Sequence, residues 1–135
     1  MTREEFLQST LDYYGANPIA RRNIGVGGVC KYQPIKETSE GCAIGRFMPI
    51  DKAYRDECDG IGVISEIFIH DELVERLPEW MQKMAPEFLN DIQKLHDGSL
   101  YEYWDANGLT KDGKNEVNRI IVEWELNMPQ INLVD

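Results

Sequence analysis

Cysteines at 30, 42 and 58 and histidines at 70 and 96 are the side chains here that could act as nucleophile, general base or soft metal ligand. Structural zinc sites usually draw ligands in pairs two to four residues apart, and no such pair occurs. A thiol nucleophile needs a neighbouring base and a lowered pKa, and no local pattern supplies one. The spacings of 12 and 16 between the cysteines also make a poor disulfide framework, so buried, reduced thiols packing as small apolar groups are expected. His96 follows an apolar helical face, as a core or C-terminal capping histidine whose charged form the helix dipole would favour. Paired acids such as Asp56-Glu57 and Asp71-Glu72 read as solvated charges, because nothing marks one member for desolvation.

Arginines and glycines suggest a different chemistry. Gly25-Val26-Gly27-Gly28 lacks the Lys-Ser/Thr of a phosphate-binding P-loop and is no dinucleotide fingerprint. Glycine-rich backbone can still present free N–H groups, and Arg21, Arg22 and Arg46 could fork onto an anion. Tyr32 or Phe47 could stack on a base. The candidate ligand-binding set is therefore Arg21, Arg22, Gly27, Gly28, Tyr32, Arg46 and Phe47, with no catalytic residue, metal or cofactor implied.

The charge distribution points to the same third of the chain. Fourteen Lys and Arg stand against 24 Asp and Glu in 135 residues, a net charge of −10. Seven bases (Arg21, Arg22, Lys31, Lys36, Arg46, Lys52, Arg55) and three acids (Glu37, Glu40, Asp51) lie between Ala20 and Arg55, a local excess of +4. The remainder carries −14. Such a balance argues against direct nucleic-acid binding and against anionic membranes, since both reward Lys and Arg. No apolar run reaches the roughly 20 residues of a membrane span, and MTREEFLQSTLDYY has no apolar signal-peptide core. A cytoplasmic location is the expectation.

The elements that must position these residues are mostly helices. Thr2 with Glu5 is a capping box opening a helix whose face is Phe6, Leu7, Thr10, Leu11 and Tyr14, ended by Gly15 and Asn17-Pro18. Residues 19–28 read as a loop. Val29–Gln33 and Cys42–Phe47 read as two strands joined by a polar turn-rich stretch. One or two helical turns follow at 51–56, then a glycine turn at 59–62. Residues 63–70 fit strand or helix equally. Short helices stopped by Pro78 and Pro86, a longer one over 88–96, and a last one from Thr110 or Asp112 to Pro129 complete the chain. Ser99 with Glu102 could open another short helix through Tyr103 and Trp104, and Asn107-Gly108 is a turn. The pattern predicts a single α+β domain over 1–135, mainly helical, with one small antiparallel hairpin at about 29–33 and 42–47.

Cys30-Lys31-Tyr32 and Gly41-Cys42-Ala43-Ile44-Gly45-Arg46-Phe47-Met48-Pro49 together resemble a set of small bacteriophage and prophage proteins. Their pattern is Cys-x-Tyr, a short Gly/Lys loop, Cys-Ala-Ile-Gly and an Ile-Pro-Asp step. Pro49-Ile50-Asp51 with Tyr54, Asp59-Gly60-Ile61-Gly62-Val63 and Leu95-His96-Asp97 are similar to later features, so the resemblance spans roughly residues 20 to 110. This chain departs from the pattern at Arg46, where a cysteine is expected, and at Met48, where isoleucine is. The family carries no activity to transfer. The resemblance implies a phage-encoded protein working in the host cytoplasm.

These observations lead to an expected non-enzymatic accessory protein of counter-defence or host takeover. Its partner would be a host protein or a nucleotide-like anionic small molecule, and self-association into a homo-oligomer is compatible with the composition. Two other classes compete. The acidic helical half could imitate nucleic acid and block a host DNA-binding enzyme, or the cysteines could serve a small thiol- or metal-dependent enzyme.

Overall fold

The computed structural model describes residues 1–23, 31–35, 37–97 and 103–133. Among these residues eight α-helices run in the order α1 (Arg3–Ala16), α2 (Pro18–Arg21), α3 (Lys52–Ile61), α4 (Ile64–Ile67), α5 (Asp71–Val74), α6 (Glu79–Gln82), α7 (Pro86–Asp97) and α8 (Lys111–Glu123). Two short strands, β1 (Trp104–Asp105) and β2 (Gly108–Leu109), pair antiparallel with Trp104 opposite Leu109. The protein is thus mainly helical α+β, as the periodicity predicts. No helix among the described residues is long and apolar enough to cross a membrane.

The antiparallel pair does not lie where the sequence puts it. Tyr32 and Gln33 are bends, and 42–47 form a turn leading into a 3₁₀ segment, Gly45–Phe47. Val29 and Cys30 lie outside the described residues. The two segments do run side by side, with Cys42 N donating to Lys31 O at 3.1 Å. Among the described residues no ladder extends this contact, because side chains take the backbone groups a strand partner would use. Asn23, fully buried, donates from Nδ2 to the carbonyls of Lys31 and Gln33 and accepts from Ile35 N. The Asp59 carboxylate accepts Tyr32 N at 2.6 Å and Gln33 N at 3.3 Å. Every polar backbone group withdrawn from water needs such a partner, and here two side chains replace a sheet.

Other local expectations are met or revised by capping. Thr2 and Glu5 form the capping box, Glu5 N donating to Thr2 Oγ1 at 3.1 Å and Thr2 N to Glu5 Oε1 at 2.8 Å. Asn17 ends α1 and accepts Ala20 N, starting a helical turn inside the expected 19–28 loop. Asp51 accepts Tyr54 N and opens α3, which absorbs the expected turn at 59–61 before Gly62 ends it. The ambiguous 63–70 stretch is helical at Ile64–Ile67. A helix through Trp104 is replaced by β1; the capping box at Ser99 and Glu102 lies outside the described residues.

The core gathers around α7, whose Phe88, Leu89, Ile92 and Leu95 are fully buried. It packs against α1, α4 and α8, which contribute Phe6 and Leu7, Ile64 and Ile67, and Val117 and Ile120. Trp104 of the β1–β2 pair closes one end, donating from Nε1 to Leu95 O at 3.1 Å.

Gly41 and Gly45 explain the spacing of the Gly-Cys-Ala-Ile-Gly run. A Cβ at Gly45 would fall 2.4 Å from Tyr32 O and 2.6 Å from Tyr32 Cα. Gly41 adopts φ +118°, and a Cβ there would lie 2.5 Å from the same oxygen. Two glycines thus let the 3₁₀ turn press onto the Tyr32 backbone, while Cys42, Ala43 and Ile44 between them are buried.

Candidate functional site: a guanidinium-flanked groove

The exposed side of α1 presents Glu5, Gln8, Ser9, Asp12 and Tyr13 on neighbouring turns, opposite the buried Phe6, Thr10 and Tyr14. Arg21, the last residue of α2, returns over this face. Its Cζ lies 4.6 Å from the centre of the Tyr13 ring, and its Nη1 donates to Tyr13 O at 3.0 Å. Arg46 arrives from the 3₁₀ turn, with Cζ 5.1 Å from the Tyr13 ring and 4.3 Å from that of Phe47. Its Nη2 donates to Ser9 Oγ at 3.0 Å and Thr10 Oγ1 at 3.4 Å. Two guanidiniums therefore bracket one tyrosine ring, and the three side chains line an open groove of about 570 Å³.

Among the described residues neither Arg21 nor Arg46 forms an ion pair, although Glu5 and Asp12 line the same groove and Glu40 lies close to Arg46. Burial lowers the Arg46 pKa, while the neighbouring Tyr14, Tyr13, Glu40 and Cys42 act in the opposite sense. Arginine stays charged under such shifts. The Arg46 Nε is buried and has no hydrogen-bond acceptor, so this guanidinium is only partly satisfied by protein atoms. Tyr13 is held in place by accepting Glu40 N at its hydroxyl, 2.9 Å away.

The expected ligand set divides sharply. Arg21, Arg46 and Phe47 come together. Arg22 is half-buried and does not line the groove, and Gly27 and Gly28 lie outside the described residues. Tyr32 requires correction: it is 2% exposed, its hydroxyl donates to Gly62 O at 2.5 Å and accepts from Gln93 Nε2 at 2.8 Å. A ring locked under the Gly41–Gly45 turn cannot stack on a ligand. Phe47 is half-buried, edge-on to Phe6 and to Trp80, with Arg46 over it. Sequence reasoning misses Ser9 and Tyr13, whose i, i+4 spacing on the polar side of α1 was a legible signal. It also misses Trp80, which nothing in the sequence connects to Phe47.

Of the other chemistry-bearing residues, Cys42, Cys58 and His96 are structural, His70 is exposed, and Cys30 lies outside the described residues. Cys42 and Cys58 are fully buried; Gly45 N donates to Cys42 Sγ at 3.4 Å, and burial pushes the Cys58 thiol up to about 11. His96 is 1% exposed and stacks on Tyr14, ring centres 4.0 Å apart. Burial, helped by the Arg46 charge, lowers its pKa to about 3, so the charged form expected from the helix dipole gives way to the neutral one. Among the described residues no three of His, Cys, Asp and Glu converge to hold a metal ion. No protein-family model matches this chain, and it has no detectable similarity to a curated protein or a solved structure.

Proposed function

We propose that the protein is a non-enzymatic binding protein whose ligand carries an anionic, phosphate-like group, received between Arg21 and Arg46 over Tyr13. The observation that carries this reading is the convergence of two guanidiniums on one ring with no ion-paired carboxylate among the described residues, one of them holding a buried, unaccepted Nε. A paired guanidinium fork matches the oxygens of a phosphate or carboxylate and forms strong charge-assisted hydrogen bonds. Binding rather than catalysis is supported by the burial of Cys42, Cys58 and His96, which leaves no thiol or imidazole beside the groove among the described residues. The resemblance to phage and prophage proteins supplies the setting: stoichiometric sequestration of a host's nucleotide-like anion in counter-defence or takeover.

Calorimetric titration with pyrophosphate tests the reading. The wild-type chain binds it, and Arg46→Met and Arg21→Gln each weaken binding roughly tenfold or more, the value of one charged hydrogen bond. Both variants are checked for an unchanged circular dichroism spectrum. Absence of wild-type binding, or folded variants that bind as the wild type does, overturns it.

A further inference from the structure

A second groove, of about 750 Å³, meets the first at Met1 and is lined by Trp80, Lys83 and Met84. The two are joined from beneath by an aromatic bridge. The Arg46 guanidinium lies 4.3 Å from the Phe47 ring, and the Phe47 and Trp80 rings are 5.1 Å apart and nearly perpendicular. A third edge contact, Phe6 to Trp80 at 5.2 Å, fixes the indole from the core side. The result is one surface with Arg21 and Arg46 at one end and a half-buried indole, flanked by Arg3 and Lys83, at the other.

From this continuity we infer that the ligand is a mononucleotide, with its phosphate on Arg21 and Arg46 and its base against Trp80. The assignment rests on the anion reading of the arginine pair and names what occupies the rest of the surface. Each volume lies within the range of small-molecule sites. Stacking on an aromatic face is available to every base and suits an indole that protein contacts already hold still. The Phe47 ring stands between them, 4.3 Å from the guanidinium and 5.1 Å from the indole, so a sugar can reach from a phosphate on one to a base on the other. Carboxylates set the limit on charge. Glu5 and Asp12 line the first groove, positioned to accept from sugar hydroxyls and to repel a longer polyanion, while in the second Glu79 pairs with Lys83 at 2.9 Å. With a net charge of −10 on the chain, a short ligand bearing one phosphoryl group is favoured over an oligonucleotide.

The test compares adenosine and guanosine monophosphates with pyrophosphate and with a single-stranded oligonucleotide, by calorimetry and by ¹⁹F NMR of 5-fluorotryptophan-labelled protein. Trp124→Phe assigns one of the three indole signals, and the buried Trp104 serves as internal control. The expected result is that at least one mononucleotide binds roughly tenfold or more tightly than pyrophosphate and moves the Trp80 signal. Trp80→Leu removes that advantage but leaves pyrophosphate binding intact. The fluorine signal keeps the test decisive if this variant does not fold. Equal binding of pyrophosphate and mononucleotides with an unmoved Trp80 signal overturns the nucleotide assignment while the anion site stands. Loss of all binding overturns both, and tighter binding of the oligonucleotide overturns the limit on charge.

Discussion

Gly45 rests on the backbone of Tyr32 so closely that any side chain at 45 would enter the space of the Tyr32 carbonyl. The contact joins two segments that share one backbone hydrogen bond among the described residues, so close packing does much of the work a ladder would do. Gly45→Ala must move backbone rather than a flexible side-chain end. It is expected to destabilise the fold by about 2–3 kcal/mol, read as a lower urea midpoint with an unchanged slope. An unchanged midpoint would show that the turn can withdraw from Tyr32 at no cost.

Arg55 predicts a second large loss. It is 5% exposed and donates to three backbone carbonyls: Pro49 O from Nε, Glu40 O from Nη1 and Met48 O from Nη2. Arg55→Met strands all three acceptors in the interior and should cost about 3 kcal/mol. Arg55→Lys should recover little, since an ammonium lacks the planar fork that reaches three acceptors at once. Thermal melts of both variants check this; full recovery by lysine would contradict it.

His96 makes stability depend on pH above the carboxylate range. Its folded-state pKa of about 3 lies below the ordinary histidine value of 6.5. Between those values the unfolded chain takes up a proton that the folded chain refuses, so stability falls as pH drops through 6.5. The expected slope between pH 6 and 5 is on the order of 1 kcal/mol per pH unit. His96→Phe, which keeps a ring against Tyr14, should flatten that slope in urea titrations at several pH values.

The thiols give a fast check of the core. In a Cys30→Ser chain, Cys42 and Cys58 should react with a disulfide reagent only after unfolding, because both are fully buried and Cys58 is held protonated. Rapid native-state modification of two thiols would place them on the surface.

How much of this was legible in the residues depends on range. The capping box at Thr2, the apolar stripe of Phe6, Leu7 and Tyr14, and the long helix under Phe88 and Ile92 all follow from local periodicity. The expected hairpin at 29–33 and 42–47 is corrected because its strand-like composition is overruled by distant side chains, Asn23 and Asp59, which capture the backbone groups of residues 31–35. The pairing of Asp105 with Gly108 was not read either, since the residues suggested a helix through Trp104 and only the turn at Asn107-Gly108. Arg21, Arg46 and Phe47 were legible from charge and residue type. Tyr32 was misjudged because nothing local signals that Gln93, 61 residues away, fixes its hydroxyl. Trp80 was invisible for the same reason, its tie to Phe47 existing only in three dimensions.

Since the trace of residues 31–35 is pinned by Asn23 and Asp59, the exposed stretch just beyond carries little of the information that shapes it. Ile35 is largely in solvent, and Glu37 and Thr38 are exposed. Foreign residues spliced after Ile35 would leave both pins untouched. The segment can accordingly carry a reporter or epitope ahead of Thr38 and Ser39, whose hydroxyls return to Ala20 O and Arg21 O and tie the chain back to the arginine surface.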